Sequence, residues 1–323
     1  MVNKNATKEG ATSVGDIYIG VDLGGTTVKI GLFNVAGEVL EKWEIKTHTE
    51  NGGEAIIPDI AAAVNGKLEE RSIAKEEVAG IGIGIPGPIN DEGVVPHTAN
   101  LGWGYKEVTR ELEELTGLPC KGGNDANVAA LGEVWKGGAA GYSNVVMVTL
   151  GTGVGGGIII GEKIITGSNG ASGEIGHIHV DDNIPGYCGC GNQGCLEQVA
   201  SATGITNLAN QALAASDKPS VLRGGEVSAK TVFDAVKEGD ELAIEVAERF
   251  GKYLGTALAN ITAIVDPQAI VIGGGVSKAG PVILEYIEKY YQKYCFKSCR
   301  DVKFALATLG NDAGIYGCAK MVL

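Results

Sequence analysis

Short runs of apolar and β-branched residues, each ended by glycine, predict a chain built on strands and tight turns. In the first half, two such runs flank Leu23-Gly24-Gly25, which predicts a hairpin formed by residues 17–21 and 28–33. A further buried strand is predicted at 81–85, because its apolar run stops at Pro86-Gly87-Pro88. Amphipathic stretches between the strands predict helices at residues 55–72, 108–115 and 126–135.

The second half of the chain repeats the pattern of the first. Residues 148–160, VTLGTGVGGGIII, align without a gap on residues 21–33, VDLGGTTVKIGLF. The strand predicted at 145–150 therefore opens a second hairpin, whose return strand is predicted at 157–160. The run IVIGGG at 270–275 corresponds in the same way to the earlier strand that ends in Pro-Gly. This repetition predicts duplicated α/β lobes.

Long helices are predicted in the second half. Apolar residues recur at every fourth position from 242 to 258, and Asp266-Pro267 ends that helix. Pro281 suits the first turn of a helix that runs to about Tyr294. Residues 313–321 predict a short C-terminal helix that packs back on the first lobe.

Composition and charge narrow the possible functions. The chain has 323 residues, of which 44% are hydrophobic and 20% charged, as is usual for a soluble globular enzyme. A length of 323 residues favours two lobes. The 51 glycines are roughly twice the average share and gather at strand ends, where backbone approaches a ligand closely. The net charge of −13, without a basic cluster, argues against a nucleic-acid partner.

Nothing in the sequence predicts export or insertion into a membrane. Residues 1–16 are polar, lack the apolar core of a signal peptide and predict a disordered tail. No apolar run reaches the roughly 18–20 residues that span a bilayer. We therefore expect a cytoplasmic protein with no membrane partner.

Two segments match the pattern G-x-G-x-x-G, at 82–87 and at 151–156. A dinucleotide-binding site requires such a motif to follow a strand and open a helix. The first segment runs into turn residues and the second into a strand, so neither predicts a dehydrogenase. The sequence also has no G-x-x-x-x-G-K-[ST] motif, which excludes the P-loop route to ATP.

The first hairpin turn is a candidate phosphate site. Glycines let backbone N–H groups converge on an anion, and the hydroxyls of Thr26 and Thr27 add donors. Asp22 stands at the end of the strand, where a carboxylate can orient Mg²⁺ or its waters. The alternative is a plain hairpin with glycines for geometry. The second turn, Gly151-Thr152-Gly153, favours the functional interpretation, because two facing turns can hold one polyphosphate.

The segment Asn124-Asp125-Ala126-Asn127 lies where the two halves meet. Asp125 could cap the helix that follows. A carboxylate at the mouth of an interdomain cleft could instead accept a hydroxyl proton during phosphoryl transfer. The helix N-terminus would favour the carboxylate form, which predicts a low pKa for Asp125.

One histidine and three crowded cysteines predict a metal site. His177, Cys188, Cys190 and Cys195 supply the nitrogen and sulfur donors of a closed structural zinc site. The alternative is a surface loop with reduced cysteines. Glu174 and Glu197 flank this loop, and with His177 they provide the polar partners that buried sugar hydroxyls require.

Together these motifs resemble the ROK family of sugar kinases and repressors, and the likeness extends from Ile17 onward. They occur in the family's order: DLGGTTVKIG, IPGPI, NLGWG, NDAN, LGTGVGGG, EIGH, CGCGNQGCLE and IVIGGGVS. The resemblance implies an α/β fold of duplicated actin-like ATPase (ribonuclease H-like) lobes around an interdomain cleft. Residues 17–125 with about 306–323 would form a small lobe, and residues 126–305 a large lobe that carries the zinc loop.

The resemblance also implies the reaction and its residues. Asp125 would take the proton from the 6-hydroxyl of a hexose, glucose being preferred. The implied sugar-binding residues are Asn100, Asn124, Asp125, Glu174, His177 and Glu197. ATP with Mg²⁺ would be bound by Asp22, Gly24, Gly25, Thr26, Thr27, Lys29, Gly151, Thr152, Gly153, Gly273, Gly274 and Gly275. Zinc would shape the sugar pocket rather than activate water, and a homodimer or homotetramer is expected.

Two alternatives remain at this point. A kinase for mannose, fructose, allose or N-acetylmannosamine would share the same motifs. A sugar-responsive repressor would need a helix-turn-helix domain ahead of the kinase-like part. The short polar stretch before the first strand and the acidic charge disfavour that second alternative.

Overall fold

The structure is a computed structural model that describes residues 15–98 and 100–323. Residues 1–14, most of the predicted tail, and Ala99 lie outside these ranges. Within them the chain forms two five-stranded sheets and one two-stranded sheet. The strands are β1 (Ile17–Leu23), β2 (Thr27–Asn34), β3 (Val39–Lys46), β4 (Val78–Ile85), β5 (Val94–Val95), β6 (Lys106–Glu107), β7 (Cys120–Asn124), β8 (Val145–Leu150), β9 (Val154–Ile160), β10 (Lys163–Ile164), β11 (Ala269–Gly273) and β12 (Lys303–Leu306).

The two large sheets have the same topology. Their strand orders are β3-β2-β1-β4-β7 and β10-β9-β8-β11-β12. In each sheet the first three strands are antiparallel and the last two join in parallel. The predicted duplication is therefore confirmed at the level of complete sheets.

The predicted hairpins are present, with one boundary to correct. In the first hairpin Asp22 pairs with Lys29 and Leu23 with Val28, so the turn is as tight as its glycines predict. In the second, the return strand begins at Val154 rather than at 157, because Gly155, Gly156 and Gly157 pair with β8 despite their low strand propensity.

The helices lie on the faces of these sheets. They are α1 (Glu50–Gly53), α2 (Ile56–Glu70), α3 (Val108–Thr116), α4 (Asp125–Lys136), α5 (Glu197–Ala200), α6 (Ala202–Ala215), α7 (Ala229–Lys237), α8 (Glu241–Val265), α9 (Val282–Tyr294) and α10 (Ala313–Met321). The predicted helical face of α8 is buried from Leu242 to Leu258, and the helix ends at Asp266, as predicted. None of the helices in the described ranges combines the length and apolar character needed to cross a bilayer.

Helices α4 and α10 cross at glycines between the two sheets. A Cβ atom on Gly317 would lie 1.6 Å from the carbonyl oxygen of Val128, and one on Gly132 would lie 2.2 Å from that of Ala313. Helix α10 also rests on the first sheet, where a Cβ on Gly20 would lie 2.0 Å from the carbonyl oxygen of Ile315. The predicted packing of the C-terminal helix against the first sheet is therefore confirmed, whereas the exact lobe boundaries stay a prediction.

Candidate active site

At the start of α4, one residue caps the helix and the next residue is the candidate base. The Asn124 side-chain oxygen accepts hydrogen bonds from the backbone N–H groups of Ala126 (3.0 Å) and Asn127 (3.2 Å), and its amide donates to the carbonyl of Gly87 (3.1 Å). Asn124 is thus the N-cap, and Asp125 is the first helical residue. The interpretation of Asp125 as the cap is wrong, because the preceding asparagine fills that position.

The environment of Asp125 raises the pKa of its carboxyl above the ordinary value of 3.8. Desolvation is the main cause, and the negative charge of Glu174 adds to it, while the backbone N–H of Ala126 acts in the opposite direction. Asp125 is exposed to water, yet the surrounding protein displaces enough solvent to desolvate its carboxyl. The prediction of a low pKa is therefore wrong, because desolvation outweighs the helix N-terminus.

Asp22 lies at the end of β1, directly before the glycine turn. Its carboxyl rests on the first turn of α10, where a Cβ on Gly314 would lie 2.5 Å from the carboxyl carbon. Burial raises the pKa of Asp22, Lys29 lowers it and the charge of Asp125 raises it. The two carboxyl groups are therefore close enough for the charge of Asp125 to act on Asp22. Lys29 itself donates from Nζ to the carbonyl of Asn311 at 3.0 Å.

The first glycine turn is held in place from one side. The N–H of Gly24 donates to the carbonyl of Thr27 (3.1 Å), which closes the turn. The hydroxyl of the buried Thr47 donates to the carbonyl of Gly24 (2.7 Å), and its N–H donates to the carbonyl of Thr26 (2.9 Å). Thr47 was missed by sequence reasoning, because β3, the strand that it directly follows, was not predicted. The side chain of Thr26 stays exposed at the tip.

The second glycine turn is tied to Glu197. One carboxylate oxygen of Glu197 accepts from the N–H of Val154 at 2.9 Å, and a Cβ on Gly153 would lie 2.3 Å from the same oxygen. The other oxygen lies 3.5 Å from the sulfur of Cys188. Glu197 therefore joins the turn to the cysteine loop, and Thr152 remains exposed.

The four predicted metal ligands converge. One donor atom from each of His177, Cys188, Cys190 and Cys195 lies within 4.8 Å of the other three. His177 Nδ1 is 3.6 Å from the sulfur of Cys188, and the sulfurs of Cys190 and Cys195 are 3.6 Å apart. This donor set and spacing fit a tetrahedral Zn²⁺ site.

His177 connects the cysteine cluster to the cleft. Its Nδ1 faces the cysteines, while Nε2 lies 3.7 Å from a carboxylate oxygen of Glu174. Glu174 is exposed and influences the pKa of Asp125. The structure therefore brings Asp22, Asp125, Glu174 and His177 to one region.

The third glycine segment lies beside a cavity that sequence reasoning missed. Gly273 ends the buried strand β11, and Gly274 and Gly275 are exposed after it. The cavity has a volume of about 330 Å³ and is lined by Ala202, Ser228, Ala229, Lys230, Asp234, Gly275, Val276, Lys278 and Ala279. Residues 228–234 carry no phosphate motif, so only the fold brings them to Gly275.

The paired sheets, the helices crossing between them and the glycine turns define an actin-like ATPase fold. Residues 18–323 match the ROK family, and the chain belongs to that family. The resemblance identified from the sequence motifs is therefore confirmed.

A sequence relative and two solved structures support the same family assignment. The chain is 44% identical over 306 residues to a glucokinase of Halalkalibacterium halodurans, covering 93% of each chain. A ROK family glucokinase from Streptomyces griseus, solved in complex with glucose and AMPPNP, is 33% identical with a TM-score of 0.72, covering 94% of this chain and 98% of that one. A ROK hexokinase from Thermus thermophilus is 32% identical with a TM-score of 0.78, covering 94% and 96%.

Proposed function

We propose that this protein transfers the γ-phosphoryl group of ATP to the 6-hydroxyl of glucose. The observation that carries the proposal is the placement of Asp125. Asn124 caps α4, so the Asp125 carboxylate stays open to the cleft beside Glu174. The names of the relatives at 36–44% identity, all glucokinases, support glucose as the acceptor.

In the proposed mechanism, Asp125 is the base. A sugar hydroxyl is a weak nucleophile, and its proton must leave as the new P–O bond forms. The Asp125 carboxylate accepts that proton. Its raised pKa makes the Asp125 carboxylate a stronger base than an ordinary aspartate.

The nucleotide would lie across the three glycine segments. Backbone N–H groups of Gly24–Thr27 and Gly151–Gly153 suit the phosphates. Asp22 would orient Mg²⁺ or its waters, and Lys29 would offset its charge. Gly273–Gly275 and the adjoining cavity of about 330 Å³ would receive the adenosine. Magnesium bound with ATP would neutralise charge on the transferred group.

The sugar would lie between Asp125 and the cysteine loop. Asn124, Glu174, His177 and Glu197 are the proposed hydroxyl partners, together with Asn100, which lies exposed in a turn. Of these, Glu197 has one oxygen engaged by Val154 N–H, so only its other oxygen is available to a hydroxyl.

Zinc is the proposed structural metal of the cysteine loop. His177, Cys188, Cys190 and Cys195 would hold it, with His177 bound through Nδ1 so that Nε2 stays turned to Glu174. A metal bound there would fix the orientation of the imidazole at the sugar site. The expected homodimer or homotetramer remains a prediction.

An ATP-coupled assay over a panel of hexoses tests the function. We expect the highest kcat/KM with glucose and lower values with mannose, fructose, allose and N-acetylmannosamine. Asp125→Asn, assayed on the same panel, controls for a contaminating kinase, because it should lose activity with every sugar. A higher kcat/KM for another hexose would replace glucose as the substrate, and no phosphorylation of any hexose would overturn the proposal.

A further inference from the structure

Glu133 is a buried carboxylate that the proposed mechanism does not use. It lies in α4, eight residues after the candidate base Asp125 along the same helix, and its exposure is 0%. No other carboxylate in the described ranges is buried to this degree. A carboxylate removed from water is costly unless hydrogen bonds compensate for its lost hydration. Its hydrogen-bond partners therefore indicate what it does.

Three backbone N–H groups supply that compensation. Oε2 accepts from Gly138 (2.7 Å) and Thr308 (3.0 Å), and Oε1 accepts from Leu309 (2.9 Å). Two of these donors belong to the segment directly before α10, more than 170 residues away in sequence. Glu133 thus fastens the C-terminal half of α4 to the entrance of α10.

The same segment is held from the first sheet. Lys29 in β2 donates to the carbonyl of Asn311 (3.0 Å), and Lys42 in β3 pairs with Asp312 (2.7 Å). The start of α10 is therefore fixed between α4 on one side and the first sheet on the other. The two helices are in close contact where they cross, because a Cβ on Gly317 would lie 1.6 Å from the carbonyl oxygen of Val128.

Both cleft carboxylates depend on this helix pair. Asp125 is the first residue of α4, and the Asp22 carboxyl rests on Gly314 in the first turn of α10. We propose that Glu133 is a positioning residue, which sets α10 relative to α4 and so aligns Asp125 with Asp22 and the phosphate turns. This inference rests on the proposed function, since that function assigns Asp125 to the sugar and Asp22 to the nucleotide.

Glu133→Gln tests the inference, because it keeps the shape but turns an amide donor towards backbone N–H donors. We expect kcat at saturating ATP and glucose to fall about 10–100-fold, since a misplacement near 1 Å can cost up to about 100-fold. The Kd for glucose, measured by calorimetry, should stay within about threefold of the native value. Leu309→Pro removes one of the three donors at a residue whose φ of −76° proline also adopts, and should lower kcat in the same direction by less.

Tyr291→Phe is the matched control. Its hydroxyl is completely buried, donates to the Cys299 carbonyl at 2.6 Å and lies away from the helix crossing. This variant should lose thermal stability and keep the native kcat. Native kcat in Glu133→Gln, with a lowered Tm, would overturn the positioning role. If Glu133→Gln is insoluble, native kcat in Leu309→Pro overturns it instead. Asp125→Asn, assayed in parallel, tests the base assignment by itself. Failure of the base assignment can therefore be told apart from failure of the positioning role.

Discussion

At the scale of single residues, the cleft changes the acid–base behaviour of two aspartates. Desolvation raises the pKa of Asp22 and of Asp125. The sequence places Asp125 at a helix N-terminus, which alone would lower the pKa. Desolvation acts through protein that is distant in sequence, so no local pattern could have predicted its larger effect.

The raised pKa predicts the acid limb of the pH profile. A base works only when deprotonated, so kcat/KM for glucose should fall as the pH decreases through the pKa of Asp125. We expect that limb above pH 3.8, the ordinary value for aspartate. Glu174→Gln removes a negative charge that raises this pKa and should move the limb to lower pH. A limb at or below 3.8 in native protein that circular dichroism shows to be folded would contradict the prediction.

Glu174 should also matter for sugar affinity. Its carboxylate lies 3.7 Å from Nε2 of His177, on the side of the imidazole that faces away from the cysteines. We expect Glu174→Ala to weaken glucose binding by about 10-fold or more, the effect of losing a hydrogen bond to a charged group. The affinity for a non-hydrolysable ATP analogue should change by less than about threefold. Calorimetric titrations with unchanged glucose affinity would remove Glu174 from the sugar site.

At the scale of elements, the cysteine loop depends on backbone pairing as well as on its donors. Val180 N–H donates to the Gly194 carbonyl (2.7 Å) and Leu196 N–H to the Ile178 carbonyl (2.9 Å). These bonds bring residues after His177 alongside residues around Cys195. The loop should therefore keep part of its shape without metal while losing its fixed ligand geometry.

Purified protein should carry about one zinc per chain by elemental analysis. Chelation should lower Tm and weaken glucose binding, because a bound metal would orient the His177 imidazole. Cys190→Ser should reproduce both effects. Cys318→Ser is a suitable control, since Cys318 is a buried cysteine within α10, outside the ligand set. Metal-free preparations with native Tm, together with native stability in Cys190→Ser, would contradict the zinc site.

Sequence patterns predicted several elements whose burial is one-sided or complete, although the one-sided helices α6 and α7 were missed. The first hairpin, α2 and α8 carry clear apolar periodicity, and their positions are confirmed. Strand β3 was missed because it lies at a sheet edge and exposes much of its length, so its sequence, VLEKWEIK, is rich in charge. Strand β7, CKGGN, is short and rich in glycine, which hides its strand character.

The candidate site also contains some features that the sequence could predict and others that it could not. Glycine turns and the cysteine cluster could be read from local spacing, because their chemistry depends on neighbours in sequence. The cap could not be assigned, since Asn124 and Asp125 are equally good cap residues and only the backbone decides between them. Glu133 and the cavity at Gly275 could not be predicted, because their partners lie far apart in the chain.

At the scale of the whole molecule, duplication explains why the site lies between the sheets. Each sheet brings a glycine turn from its first hairpin, and helices α4 and α10 cross between the sheets. In the proposed binding mode, each lobe would supply only one of the two phosphate turns. The proposed base stands at the start of the crossing helix α4, so the relative placement of the lobes governs the reaction.

Turnover by Asp125→Asn tests the central claim most directly. The variant should stay folded, because Asn124 provides the cap and an uncharged side chain avoids the desolvation that raises the pKa of Asp125. We predict glucose and ATP affinities close to native, with kcat lower by about 10²–10⁴, the usual share of general-base catalysis. Native turnover in this variant, with glucose binding intact, would contradict the assignment of Asp125 as the base.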